Sequence, residues 1–347
     1  MPTDCRFASA WLRRIALAAV AALGVVAIVG SGGGSDAPQC SFFSNVCNPV
    51  VNPPPATPAT SIYPIKLTVQ AGTSAAFTAQ TSGIDQPRFQ WRRSGDGGVN
   101  FVDVAGATAA TYTLAQVQFA DDGATFLVDV RGSRDNTVLA SSNAGTLLVS
   151  SMPAVTFSDG EFDPADWSAN SMAEPARNGP THFEDRSVAG GSPGAYRHML
   201  HTMTAGPSSL RVLNTKASAI YDPQTLGAIH AIDYTEDCDL LSASSSSFNV
   251  VSYPTIEQAG RRYVASHGRG CLSSWVNNFN QLPSLGTTDF VQVDGPACAN
   301  GESCPDFSAS AGALRFGFER RASVRAGVPA GSIEHGIDNW KVSIWRP

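Results

Sequence analysis

The run GAIHAIDYTED, residues 227–237, places three carboxylates, Asp233, Glu236 and Asp237, within five residues. Retaining hydrolysis of a glycosidic bond uses two carboxyl groups about 5 Å apart, one as nucleophile and one as acid/base. On a strand, residues i and i+2 share a face, and a bulge returns a later residue to it. A strand here could carry such chemistry if two carboxylates reach one face. Other chemistries find no motif. There is no GxSxG elbow in a strand–turn–helix context, no HExxH, and no phosphate or dinucleotide fingerprint. His198 and His201, in YRHMLHTM, are three apart and on a strand would point to opposite faces, which spoils chelation by the pair.

The elements that must position these residues are short and turn-rich. The chain has 347 residues, 43% hydrophobic and only 15% charged, with 32 Gly and 22 Pro. This is enough for two ordinary domains, and it is the composition of an exported all-β protein. The net charge is −6, and no basic patch interleaved with aromatics points to nucleic acid. Residues 1–30 read as an export signal or N-terminal anchor. Arg13 and Arg14 precede the apolar run Ile15–Val29, which is shorter than the roughly 20 residues of a spanning helix. Any tie to a membrane would come through this segment left uncleaved. Residues 31–61 form a Gly/Pro-rich tether. Beyond Cys5 there are six cysteines, Cys40, Cys47, Cys238, Cys271, Cys298 and Cys304. Export makes disulfides the expectation, and proximity suggests Cys40–Cys47 and Cys298–Cys304, leaving Cys238–Cys271. Periplasm, cell surface and secretion are the compartments this implies.

Residues 62–150 alternate apolar and polar in short runs such as IKLTVQAG, RFQWRR and ATFLVDV, separated by SGDGG and FADDG turns. The stretch PRFQWRRSGDGGVNFVDVAGATAATYTL, followed by DDGATFLVDVRG, resembles the immunoglobulin-like repeats of bacterial surface and secreted proteins. The resemblance implies that Trp91 is the core tryptophan and that Phe126 replaces the corner tyrosine. It also implies that Ala79 and Val128 stand in place of the two cysteines of an antibody domain. Its implied role is spacing or adhesion.

Residues 154–347 open with VTFSDGEFDPADWS and close with GIDNWKVSIWRP, with further β-like runs between. Short strands with long Gly/Ser-rich connections suggest a jelly roll. The two ends resemble the concanavalin-like and carbohydrate-binding jelly rolls of secreted bacterial proteins. Phe157, Asp159, Gly160, Phe162 and Trp167 carry the first match, and Ile337, Asp338, Asn339 and Val342 the second. The resemblance implies neighbouring first and last strands and a structural calcium near Asp159 and Asp338. One concanavalin-like family supplies its catalytic carboxylates from a single strand. Laid on that pattern, Ala231 takes the nucleophile position, with Asp233 and Glu236 after it, and a methyl group cannot attack an anomeric carbon. Sugar contact by stacking and polar groups would fall to Trp275, Tyr196, Arg197, Asp233 and Tyr253. Trp275 stands out, beside Asn277, Asn278 and Gln281. Trp167 and Trp340 read as core. The expectation is an exported, non-catalytic β-protein in which an immunoglobulin-like spacer presents a lectin-like jelly roll to glycan or a cell-surface protein. The alternatives are a structural or adhesion protein and a polysaccharide hydrolase with an atypical carboxylate pair.

Overall fold

Alternating apolar residues bury one face of each strand and leave the other to water. The computed structural model describes residues 57–347, apart from 134–135, 273, 276–280, 294, 296–297 and 299–302, together with two short strands before them. Those two are β1 (Gln39–Cys40) and β2 (Cys47–Asn48), antiparallel, with Cys40 opposite Cys47 in the ladder. Their side chains, the expected export segment, most of the tether, and Asn277 and Asn278 lie outside the described residues. Among the described residues, no helix is long and apolar enough to cross a membrane.

The protein is all-β. A smaller sandwich is built from β3 (Ala59–Tyr63), β4 (Lys66–Gln70), β5 (Ala75–Ser82), β6 (Arg88–Ser94), β7 (Val102–Asp103), β8 (Thr111–Leu114), β9 (Thr125–Arg131), β10 (Val138–Ser141) and β11 (Gly145–Ser150). One sheet runs β4-β11-β9-β6-β7 with β10 beside β9, and β3-β5-β8 faces it. All its pairings are antiparallel except β4 with β11. Trp91 is fully buried on β6, opposite Val128 in the ladder. Its indole N–H donates to the Ala109 carbonyl at 2.9 Å, so the ring is core with its one donor satisfied. Phe126 packs against Phe77 and Tyr112 at 5.2 and 5.4 Å. Ala79 and Val128 belong to the same apolar cluster, which does the packing that a disulfide would otherwise do.

The larger sandwich uses β12 (Val155–Asp159), β13 (Trp167–Glu174), β14 (Thr181–Gly191), β15 (Gly194–Met203), β16 (Ser208–Tyr221), β17 (Ala231–Ala243), β18 (Val250–Gln258), β19 (Arg261–Ala265), β20 (Arg269–Gly270), β21 (Leu282–Leu285), β22 (Phe290–Gln292), β23 (Leu314–Val324) and β24 (Gly331–Trp345). Sheet I runs β14-β15-β24-β17-β21, with β12 on β24. Sheet II runs β13-β16-β23-β18-β19-β22, with β20 on β18. The first and last strands are neighbours, as β12 pairs antiparallel with β24. Disulfides join Cys238 to Cys271 and Cys298 to Cys304, which fits an oxidising compartment.

Both sandwiches lie within one compact unit, Ala56–Pro347. At their junction Lys66 reaches Asp289 at 2.8 Å. The Thr68 and Ser284 hydroxyls share a buried hydrogen bond of 2.6 Å.

Candidate functional site

β17 carries the run AIDYTED, in which Ala231 holds the position of a nucleophilic carboxylate. Ile232, Tyr234 and Cys238 belong to the interior clusters, so Glu236 points inward and Asp233 outward. The ladder shift is on the partner strand. Between the pairs Thr235↔Lys341 and Asp237↔Asp338, β24 spends one residue more than β17, and Asn339 there has φ +48°. With β17 regular from Asp233 to Glu236, these two residues stand on opposite faces of sheet I and do not form a facing pair. Asp233 accepts the Ser284 backbone N–H and the Trp345 indole N–H, each at 2.7 Å. Burial raises its pKa, and those two donors partly offset the rise. It holds β21 and β24 together and is not open to a sugar. Ala231 is buried.

Glu236 is the counter-ion of Arg320, Oε1 to Nη1 at 2.7 Å, with both side chains fully buried. It also accepts from the hydroxyls of Ser252, at 2.9 Å, and Tyr234. A polar layer crosses the interior at this level. Along β23 Arg320 sits between Phe318 and Ala322, and along β17 Glu236 sits between Tyr234 and Cys238. Along β15 His201 sits between Met199 and Met203, and along β24 His335 sits between Ile337 and Ile333. In each strand the first flanking residue belongs to one apolar cluster and the second to another. The two imidazole rings meet edge-on at 4.6 Å and are fully buried. Burial first, then the neighbouring cationic groups, holds the His201 pKa down to about 3 and that of His335 well below its ordinary value.

The two end motifs are structural locks. Asp159 accepts the backbone N–H groups of Glu161 and Phe162 on one oxygen. Its other oxygen takes the Trp167 indole N–H and the Lys216 ammonium. Burial raises its pKa, but Lys216 and these donors prevail and hold it below the ordinary carboxylate value. Both oxygens of Asp159 are taken up by these donors, and Lys216 also pairs with Asp166 at 2.6 Å, so one ammonium serves two carboxylates. Asp338 faces Asp237 across the ladder and accepts the backbone N–H groups of Ser192 and Asn339, each at 2.6 Å. Burial raises the Asp338 pKa, and Asp237 and Glu161 push it further up. Among the described residues, no group of three or more His, Cys, Asp or Glu could hold a metal ion. Trp167 and Trp340 pack edge-on at 5.2 Å in the core.

Of the five residues expected to touch a ligand, the structure brings two together. Tyr196 and Trp275 meet edge-to-face at 5.2 Å on the outer face of sheet I. Gly336 makes this possible, because a Cβ there would lie 2.7 Å from each ring. The Trp275 indole N–H donates to the Gly190 carbonyl at 2.7 Å, which fixes the ring. Beside it His198 bridges Asp185 and Glu334 at 2.8 and 2.9 Å, and Asp239 accepts the Ser274 N–H at 2.6 Å. The other three lie elsewhere. Arg197 points inward, paired with buried Glu184 at 2.6 Å and donating to Asn214. Asp233 is the strand clasp described above. Tyr253 lies on the outer face of sheet II under the Arg321 guanidinium, 4.5 Å from its ring centre. Sequence reasoning missed His198 as a surface bridge and Gly336 as the floor of the aromatic pair. The only available signal was the alternation of β15 and β24 across from each other.

The fold and this site define an all-β protein of two sandwiches with an aromatic pair on a polar outer face. No protein-family model matches the chain. It is similar to Endoglucanase C of Cellulomonas fimi, 41% identical over 63 residues. That stretch is 18% of this chain and spans 5% of the length of that protein.

Proposed function

We propose that this is an exported, non-catalytic glycan-binding protein. In this reading an immunoglobulin-like sandwich is a mount for a concanavalin-like jelly roll, and the Tyr196–Trp275 pair is the sugar contact. The observation that carries it is two aromatic rings held at a fixed angle over a glycine on an otherwise polar, hydrogen-bonding face. Aromatic faces pack on the apolar faces of sugars while neighbouring carboxylates and imidazoles take hydroxyls. Partial similarity to a protein named as an endoglucanase supports a carbohydrate setting. The opposed orientation of Asp233 and Glu236 supports binding over hydrolysis by a carboxylate pair on this strand.

The test is a glycan array probed with the purified protein, its Trp275→Ala variant and its Tyr196→Ala variant. Saturable binding that drops about tenfold or more in both variants, at unchanged melting temperature, supports the reading. A blank array, or binding indifferent to both, leaves the rings as a packed cover over Gly336 and favours a structural or adhesion role.

A further inference from the structure

We propose that the outer face of sheet II is a second binding surface, one that takes an anionic polysaccharide across two arginine–glutamate–arginine clusters. It lies on the opposite side of the sandwich from Tyr196 and Trp275 and does not depend on them.

Phe316, Phe318, Ala322 and Val324 on β23 face the core, so Arg315, Glu319 and Arg321 face out. Arg211 on β16 and Arg321 on β23 stand directly opposite each other in the ladder. Like charges so placed repel. Glu319, fully buried beneath them, accepts from both, at 2.8 Å from Arg211 Nη2 and 2.7 Å from Arg321 Nη2. The Arg321 guanidinium is spread over the Tyr253 ring. The second cluster repeats the pattern with other strands. Glu257 on β18 is directly opposite both Arg315 on β23 and Arg262 on β19. Its contacts are 3.6 Å to Arg315 Nη1 and 3.2 Å to Arg262 Nε. In each cluster two guanidiniums share one central carboxylate, and a guanidinium has five donors in a fork suited to carboxylates.

The clusters mark the ends of an extended site. Arg315 and Arg321 are six residues apart on one strand, about 20 Å at 3.3 Å per residue. A surface depression of 670 Å³, lined by Met172, Glu174, Pro180 and Arg211, adjoins the first cluster. Another of 330 Å³, lined by Ile220, Glu257, Gly260 and Arg315, adjoins the second. Tyr253 lies between them. The sign of the charge separates the two outer faces. Four arginines (211, 262, 315, 321) and three glutamates (174, 257, 319) point out from sheet II, a balance of +1. Asp185, Asp233, Asp237, Asp239, Glu334 and Asp338 against Lys341 give −5 on sheet I. Of the two outer faces of the larger sandwich, sheet II repels a polyanion less. A single tyrosine offers no series of stacking platforms of the kind that single-stranded nucleic acid uses. A flexible chain with regularly spaced carboxylates or sulfates matches paired arginines at separated points.

The test is affinity electrophoresis of the purified protein in gels containing polygalacturonate, heparin or neutral dextran, at low and high salt. Retardation by polygalacturonate that weakens with salt is expected. An Arg315→Gln/Arg321→Gln double variant should lose at least about tenfold in affinity, and Arg315→Lys/Arg321→Lys should keep most of it. Trp275→Ala should leave this binding intact, which separates it from the other face. Retardation by heparin alone assigns the sulfated form of the same ligand class and supports the face. If the double variant loses its melting transition, Arg262→Gln on the rim gives the same reading with a smaller loss. The proposal is overturned if neither polyanion retards the protein, or if a folded glutamine variant binds as the native protein does. It is also overturned if low-salt retardation proves to be self-association through the acidic face of a second copy.

Discussion

The interiors of the two sandwiches are made differently. The smaller one is filled by Ile62, Phe77, Trp91, Phe126, Val128 and Leu147, and its one buried indole donor is satisfied by a carbonyl. The larger one carries a layer of Arg320, Glu236, His201 and His335 between two apolar clusters. An apolar core needs only volume and shape, whereas a buried polar layer needs every partner present. The first therefore tolerates substitution by degrees, whereas in the second removal of either member of the Arg320–Glu236 pair strands the other.

The largest expected effect tests that contrast directly. Glu236→Ala leaves the Arg320 guanidinium buried without its counter-ion and should cost the larger sandwich about 3–5 kcal/mol. Replacing both, as Glu236→Met/Arg320→Met, should recover most of that loss, since a desolvated ion pair gives little net stability over well-packed apolar groups. Urea midpoints of the native protein, the single variant and the double variant check both statements. A double variant no more stable than the single one would show that the layer does more than balance its own charges.

Acid should separate the two sandwiches next. Above pH 6.5 both buried histidines are neutral whether the chain is folded or unfolded, and they contribute nothing to pH dependence. Below pH 6.5 the unfolded chain takes up protons that the folded core excludes, and for His201 this continues down to about pH 3. One such histidine costs about 1.4 kcal/mol per pH unit in that window, hence about 3 kcal/mol by pH 4. His335, also held well below its ordinary value, acts in the same direction. Melting curves between pH 7 and 4 should show the larger sandwich losing stability first, and His201→Leu/His335→Leu should flatten that slope.

How much of this could be read from the sequence follows the same division. In the smaller sandwich, Trp91, Phe126, Ala79 and Val128 lie in the core, where the immunoglobulin-like resemblance implies them. In the larger sandwich, FERRAS holds one inward arginine and one outward one, with a fully buried glutamate beside them. Alternation alone cannot phase a strand whose inward residues are charged. For the same reason Glu236 reads as part of the polar end of a jelly-roll strand, whereas it is a core counter-ion. The Asp159 motif was legible as a motif, but its meaning lies in Lys216, some 57 residues further on in the sequence, and long-range pairing of that kind leaves no local trace. Tyr196 and Trp275 could be named as aromatic candidates. Their meeting over Gly336 depends on the β15–β24 register.

The disulfides sharpen the comparison further. Residues 62–150 contain no cysteine, while Cys238–Cys271 closes a 33-residue separation inside the larger sandwich. Cross-linking a loop of that length restricts the unfolded chain, and its loss should cost about 3–4 kcal/mol. Cys238→Ala/Cys271→Ala, or a thiol reductant, should lower the larger sandwich's transition and leave that of the smaller one in place. Equal shifts of both transitions would mean that the two sandwiches unfold as one cooperative unit through their junction.

That junction is where the smallest effects are expected, and they rank by burial. Thr68 and Ser284 share a hydrogen bond away from water. Thr68→Val strands the Ser284 hydroxyl and should cost about 1 kcal/mol. Lys66 and Asp289 pair at a similar distance but with 40% and 22% of their side chains exposed. Solvent screens that pair, and Lys66→Met should cost between about 0 and 1 kcal/mol and less still in high salt. Measuring both variants at two salt concentrations gives the order. If Lys66→Met proves the costlier, charge rather than burial holds the smaller sandwich to the larger one, and the mount would loosen with ionic strength.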